Sequence, residues 1–233
     1  MNNVKTTMCM LFFSVAIGSA QSITSSVFYA GYLKETVNGL KDYPLTGPIV
    51  GGGGTLEFPI SDNFSVQSFA GLEFLIVFAK DDNYDLLISQ LAMGIDPALK
   101  FGSETKNFCV GTSISVPIQS TVRLKDKQDN NIESANVYGN DINVALILSS
   151  RYEYISVLLG KEMTGKNAAA IYGAGFNIPY GSDNFIVKPQ IQYSNGNQKS
   201  DLVISLGFEY NFNASSEKLN YNDDYDEYDE EDY

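Results

Sequence analysis

The chain of 233 residues contains no histidine and no tryptophan, only two cysteines, and 15 lysines and arginines against 28 aspartates and glutamates. Without imidazole there is no histidine general base, triad member or metal ligand, which removes most hydrolase and zinc-enzyme designs. No basic stripe is present for a nucleic-acid backbone to follow, so nucleic acid is excluded as a partner. The richest apolar window after residue 20, Phe74 to Ala79, is bounded by Glu73 and Lys80. It falls far short of the roughly 18 residues that a membrane helix needs, and a helical span is excluded.

The acidity is local. Glu217, Asp223, Asp224, Asp226, Glu227, Asp229, Glu230, Glu231 and Asp232 face a single base, Lys218, so residues 213–233 carry −8 of the net −13. A dense run of like charge repels itself and buries no core, which predicts a disordered, solvated acidic tail. It has neither the glycine nor the ligand spacing of a calcium loop. Cations or a basic periplasmic partner, with Tyr221, Tyr225, Tyr228 and Tyr233 adding contact surface, are the binding alternatives. No cofactor or metal is expected, and no catalytic residue stands out.

Residues 1–20 combine Lys5, an apolar stretch from Met8 to Ile17 and the small residues Gly18, Ser19 and Ala20. That is the pattern of a secretory signal peptide cleaved after Ala20. Cys9 stands too early to be a lipoprotein acceptor. Cleavage would leave Cys109 alone, so the exported chain has no internal disulfide to stabilise it.

The mature chain alternates with period two in segments of about ten residues separated by polar turns. In the last, Leu202, Ile204, Leu206, Phe208, Tyr210 and Phe212 form one face and Val203, Ser205, Gly207, Glu209 and Asn211 the other. Residues 64–78, 108–118 and 185–193 follow suit. Weaker segments lie at about 26–34, 49–58, 86–101, 142–149, 153–161 and 168–178, several of them mixed on both faces. Short turns at 59–63, 102–106, about 149–152 and 179–184 interleave with connections at 35–48, 80–85, 119–141, 162–167 and 194–200. Two of the short turns share a pattern, P-I-S-D-N-F and P-Y-G-S-D-N-F, suited to tight hairpins. Pro189 stands inside a predicted strand and needs a bulge or an edge, because it cannot donate to the ladder.

A soluble sandwich would alternate too, but its outer face should be rich in Lys, Glu, Asp and Arg. Here the second face is mostly Gly, Ser, Asn, Gln and Ala, and aromatic residues gather near segment ends, as in a membrane girdle. The final strand places Ser205, Gly207, Tyr210 and Phe212 at the spacing of polar, glycine, aromatic and aromatic residues. This resembles the C-terminal insertion signal of bacterial outer-membrane β-barrel proteins. The body over 21–212 resembles the small barrels among them, the OmpA-like transmembrane domain and the opacity-type porins. The resemblance implies an all-β, closed antiparallel transmembrane barrel with outer-membrane lipids and the barrel assembly machinery as partners, and the count of ten alternating segments, an even number, favours ten strands over eight. Against the pattern, 21 residues follow Phe212 and tyrosine and phenylalanine replace tryptophan.

If the polar faces point inward, the lumen collects Glu73, Lys100, Glu153, Lys188 and Glu209, with Arg151 and Lys161 nearby. Such charges serve either as ion pairs filling a narrow barrel or as a charged constriction; the small diameter favours filling. The run Gly51–Gly54 lacks the Gly-Lys-Ser/Thr of a phosphate loop and points to close lumenal packing or curvature. Outer-membrane enzymes of the resembling class use histidine, which is absent here. The expectation is therefore a non-enzymatic structural or surface-binding protein acting through its loops, chiefly 35–48 and 119–141. A narrow porin is the alternative, and a secreted soluble β-protein the weaker one.

Overall fold

The structure, a computed structural model, describes residues 23–38, 44–80, 83–128, 132–136, 142–164 and 167–212. The leader over 1–20 and the acidic tail over 213–233 lie outside the described residues. The strands are β1 (Ile23–Val37), β2 (Leu45–Ser61), β3 (Phe64–Lys80), β4 (Tyr84–Gly102), β5 (Lys106–Asp126), β6 (Ile132–Asn136), β7 (Asn143–Tyr152), β8 (Ile155–Glu162), β9 (Ala170–Phe176), β10 (Ile178–Tyr180), β11 (Ser182–Asn195) and β12 (Lys199–Asn211). Each pairs antiparallel with its neighbours around a ring that closes where β12 meets β1, from Ser25↔Asn211 to Val37↔Lys199. Ten staves make the wall, β9 and β10 being two parts of one stave and β6 a short strand added to β5. The expected closed ten-strand barrel is the observed one.

Both described ends lie together at one rim, where the Phe212 amide donates to the Thr24 carbonyl oxygen at 2.9 Å. The four tight turns share this rim, and the longer connections share the other. The sequence places one turn too early: the chain reverses at Glu153 and Tyr154, not at 149–152, and Glu153 takes the left-handed conformation (φ 52°) that this reversal requires. The 119–141 segment is also not all loop. β5 continues to Asp126 and β6 pairs with Thr121–Lys125, so a β-ribbon rises beyond the barrel. The wall is uneven, β4 and β5 having 19 and 21 residues and β8 and β9 only 8 and 7.

Prolines mark the irregularities. Pro59 and Pro179, in the two hairpins with the shared pattern, each precede a register shift, and Pro117 lies beside the shift between β4 and β5. Pro189 falls where the β9–β11 ladder lapses between Gly175↔Gln190 and Ile178↔Val187, although the register on either side is the same. Its missing N–H splits the stave into β9 and β10 without a bulge. Replacing Pro189 with valine should restore the lapsed bridge to Phe176; a slowly exchanging amide at position 189 would register it, and a rapidly exchanging one would refute this account.

Alternation decides the two faces. Phe28, Leu72, Phe74, Leu99, Phe101, Leu159, Ile204 and Leu206 stand exposed on the exterior, an arrangement that water would penalise and lipid accepts. Aromatic contacts crowd the turn rim: Phe64 stacks on Phe101 at 5.0 Å, Phe185 on Phe208 at 6.0 Å, and Tyr210 meets Phe212 edge-on at 5.2 Å. Among the described residues no helix is long and apolar enough to cross a membrane.

Candidate functional site: the lumen and its two halves

The lumen is built in tiers. Toward the loop rim the inward positions are apolar: Leu33, Leu45 and Val77 are buried together, with Val37, Leu75, Ala79, Leu86, Ile88 and Val203 packed around them. Five adjacent strands, β12 and β1 to β4, thus turn aliphatic side chains inward and pack half of the ring at this end from within. Beyond the layer, the Lys199 ammonium binds Glu35 at 2.6 Å and Asp201 at 3.5 Å.

At mid-height the Tyr29 hydroxyl donates to Glu73 Oε2 at 2.6 Å. Its ring lies over Gly51, where any Cβ would overlap it, so the glycine leaves room for the side chain to reach from β1 across β2 to β3. Below it opens a cavity of about 1240 Å³, whose walls include Tyr29, Phe69 and Asp96 at the top and Glu104, Glu153 and Tyr154 at the turn rim, with Ala145, Ile147 and Ile186 among the apolar side chains between. Water can occupy the parts of such a space where polar groups cluster.

Ion pairs grip the cavity wall. Lys100 reaches Glu57 at 3.0 Å and Glu104 at 3.4 Å, and Lys188 reaches Glu209 at 2.8 Å. Glu153 sits in the β7–β8 turn and pairs with Lys106 at 3.2 Å, at the mouth of the lumen. Lys161 points outward instead, its register partner Leu146 lying on the exposed face, because β8 puts odd-numbered residues outside. Arg151 lines the cavity, with its Nε donating to the Glu153 carbonyl oxygen at 3.3 Å. Cys109 is free and buried in the wall, accepting from Gln67 Nε2 at 3.4 Å. On β12, Ser205 and Gly207 face the lumen, whereas Tyr210 and Phe212 face out.

Glu57, Tyr29, Asp96 and the Glu35–Lys199–Asp201 group escape the sequence reading. Tyr29 and Glu35 lie in a strand whose lumenal face is apolar at the loop end, so β1 lacks the contrast between faces that reveals orientation. Glu57 follows the glycine run, whose residues carry no side chain to betray a face.

A closed antiparallel barrel with an apolar exterior, an aromatic belt at the rim and a polar interior is an outer-membrane-type β-barrel. Among solved structures, the chain is similar to the translocator domain of the autotransporter NalP from Neisseria meningitidis, at 8% identity with 91% of this chain and 96% of that one covered and a TM-score of 0.43. It is similar to Neisserial surface protein A, at 10% identity over 82% and 98% with a TM-score of 0.42. The transport unit of the autotransporter AIDA-I from Escherichia coli gives 9% identity over 84% and 92% with a TM-score of 0.47. No family model and no curated protein matches the chain. At these scores the fold rests on the chain's own strand pairing.

Proposed function

We propose that this protein is an integral barrel of a bacterial outer membrane, exported by a signal peptide cleaved after Ala20, with a structural or binding role at the cell surface and no catalysis. The apolar layer around Leu33, Leu45 and Val77 carries the reading: aliphatic packing inside the loop end disfavours a continuous water path. Function then falls to what the loop end presents outward, as rigid scaffolds commonly present loops. The tail over 213–233 would lie in the periplasm, available to cations or a basic partner. Proteolytic removal of the tail from intact cells would contradict that orientation.

The porin alternative draws on the cavity, which reaches the turn rim and is lined by charges of both signs. Planar bilayers separate the two. The native protein should give no reproducible step conductance, whereas L45S/V77S, which makes the layer polar, should admit intermittent openings. Stable native channels whose selectivity follows Lys188→Gln or Glu73→Gln would establish the porin. Fractionation tests the common premise: recovery of the protein in a soluble fraction, with no difference in gel migration on boiling, would reject the membrane barrel altogether.

A further inference from the structure

Most of the described lysines are neutralised. Lys100, Lys106, Lys127, Lys188 and Lys199 each hold a carboxylate. Lys80, Arg123 and Lys125 hold none among the described residues, although all three are exposed at one corner of the loop rim. Register explains why they converge. Lys80 lies beside Asp85 and Asp85 beside Lys125, while Leu87 joins Phe78 on one side to Arg123 on the other. All are on the exterior face.

The carboxylates nearby do not cancel them. Asp85 is taken by Lys127 at 3.2 Å. Asp126 and Glu133 pair in register with Tyr84 and Leu124, positions that fall on the opposite face of the ribbon. Between β3 and β6 the exterior also forms a cleft of about 280 Å³, lined by Phe78, Leu87 and Ile132 beside Lys80, Arg123, Lys125 and the Asp85 that Lys127 holds. Phe78 and Leu87 stand one step nearer the lipid-facing band than Lys80 and Lys125, with Arg123 level with them, so apolar wall meets unneutralised cations at the edge of that band and matches a molecule that is anionic at one end and greasy at the other.

We infer that this cleft is a binding site for a phosphate-bearing lipid of the surrounding leaflet, with Lys80, Arg123 and Lys125 on the phosphate and Phe78 and Leu87 against the acyl chains. Arginine offers a fork of donors to phosphate oxygens, and the lysines add point charge. A soluble anion would gain nothing from the apolar wall. The inference rests on the membrane reading but not on which rim faces outward, because the test supplies the lipid to both leaflets.

The full chain is placed in phosphatidylcholine nanodiscs doped with phosphatidic acid or with diacylglycerol, and lipid retained after extraction is measured by native mass spectrometry. Phosphatidic acid should be retained selectively, and K80Q/R123Q/K125Q should weaken that retention by a factor of order 100. K34Q/K161Q, which removes two exposed cations of the same rim outside the cleft, should have little effect. Equal retention of diacylglycerol would reduce the site to an acyl groove, and equal loss in both variants would reduce it to diffuse attraction; either overturns the inference. The boiled and unboiled migration of each variant reports folding separately, so a variant that cannot form a barrel is replaced by the single change R123Q, for which a loss of about fivefold is expected.

Discussion

Replacing Lys100 with alanine should destabilise the folded barrel by about 3 kcal/mol, the low end of what removing one partner of a buried ion pair costs. Lys100 is only 7% exposed and is the group that neutralises Glu57, meeting both carboxylate oxygens at 3.0 and 3.2 Å. Without it, Glu57 keeps a hydrogen bond from the Ser65 hydroxyl but no countercharge in contact. Water in the adjoining cavity screens part of the loss, which is why the low end applies. Lys106→Ala is the matched control: its pair with Glu153 is about half exposed on both sides and should cost little. Urea unfolding in detergent micelles reads both. A midpoint for K100A no lower than for K106A would show that the pair contributes nothing, and K100M/E57L should recover most of the loss, since apolar replacement of the whole pair leaves no charge stranded.

The glycine run should respond to substitution position by position. Gly53→Ala should abolish or severely slow barrel formation, while its neighbour Gly54→Ala should be tolerated. A Cβ on Gly53 would overlap the Ala70 carbonyl oxygen and the Gly71 backbone, and backbone cannot move aside without separating β2 from β3. On Gly54 the nearest atom would be 3.5 Å away, ordinary contact. Overpacking commonly costs 1–3 kcal/mol where side chains can adjust, so about 3 kcal/mol or more is expected for a clash with backbone. The yield of the fast-migrating unboiled form measures it. Equal yields from the two variants would show that β2 and β3 are not held this close.

What the sequence reveals depends on contrast between the two faces. Over 202–212 one face is wholly apolar and the other is Val203, Ser205, Gly207, Glu209 and Asn211, so both the strand and its inward side can be read directly. Glu73, Lys188 and Glu209 emerge from the same contrast, Lys100 comes from the weaker segment 86–101, and all four side chains lie inside the wall. Where the lumen itself becomes aliphatic, at Leu33, Val77 and Val203, both faces look alike and orientation is hidden. The partners of the charges are hidden for another reason: Glu57 meets Lys100 across two strand pairings, and no local pattern encodes a contact between residues 43 positions apart. The β5–β6 ribbon stays concealed because its polar residues alternate like those of a loop, and its order comes from pairing at 121–125. Lys161 misleads because a charge in a strand suggests an inward position, whereas at a membrane rim a lysine can face out and reach the headgroups.

The seam between β1 and β12 joins Ser25 to Asn211 and runs in unbroken register to Val37 and Lys199. Every other stave is hydrogen-bonded to one that follows it closely in the chain, so the remaining pairings can form as successive hairpins. The seam cannot. It must wait for the last stave to be made and brought back, at the high entropic cost of closing a loop nearly as long as the body. Until then β1 is a free edge with every second N–H and C=O unmet, the condition in which strands recruit whatever strand they encounter. The slow step in making this protein is therefore the meeting of its two ends, and the time spent open is when aggregation competes with folding.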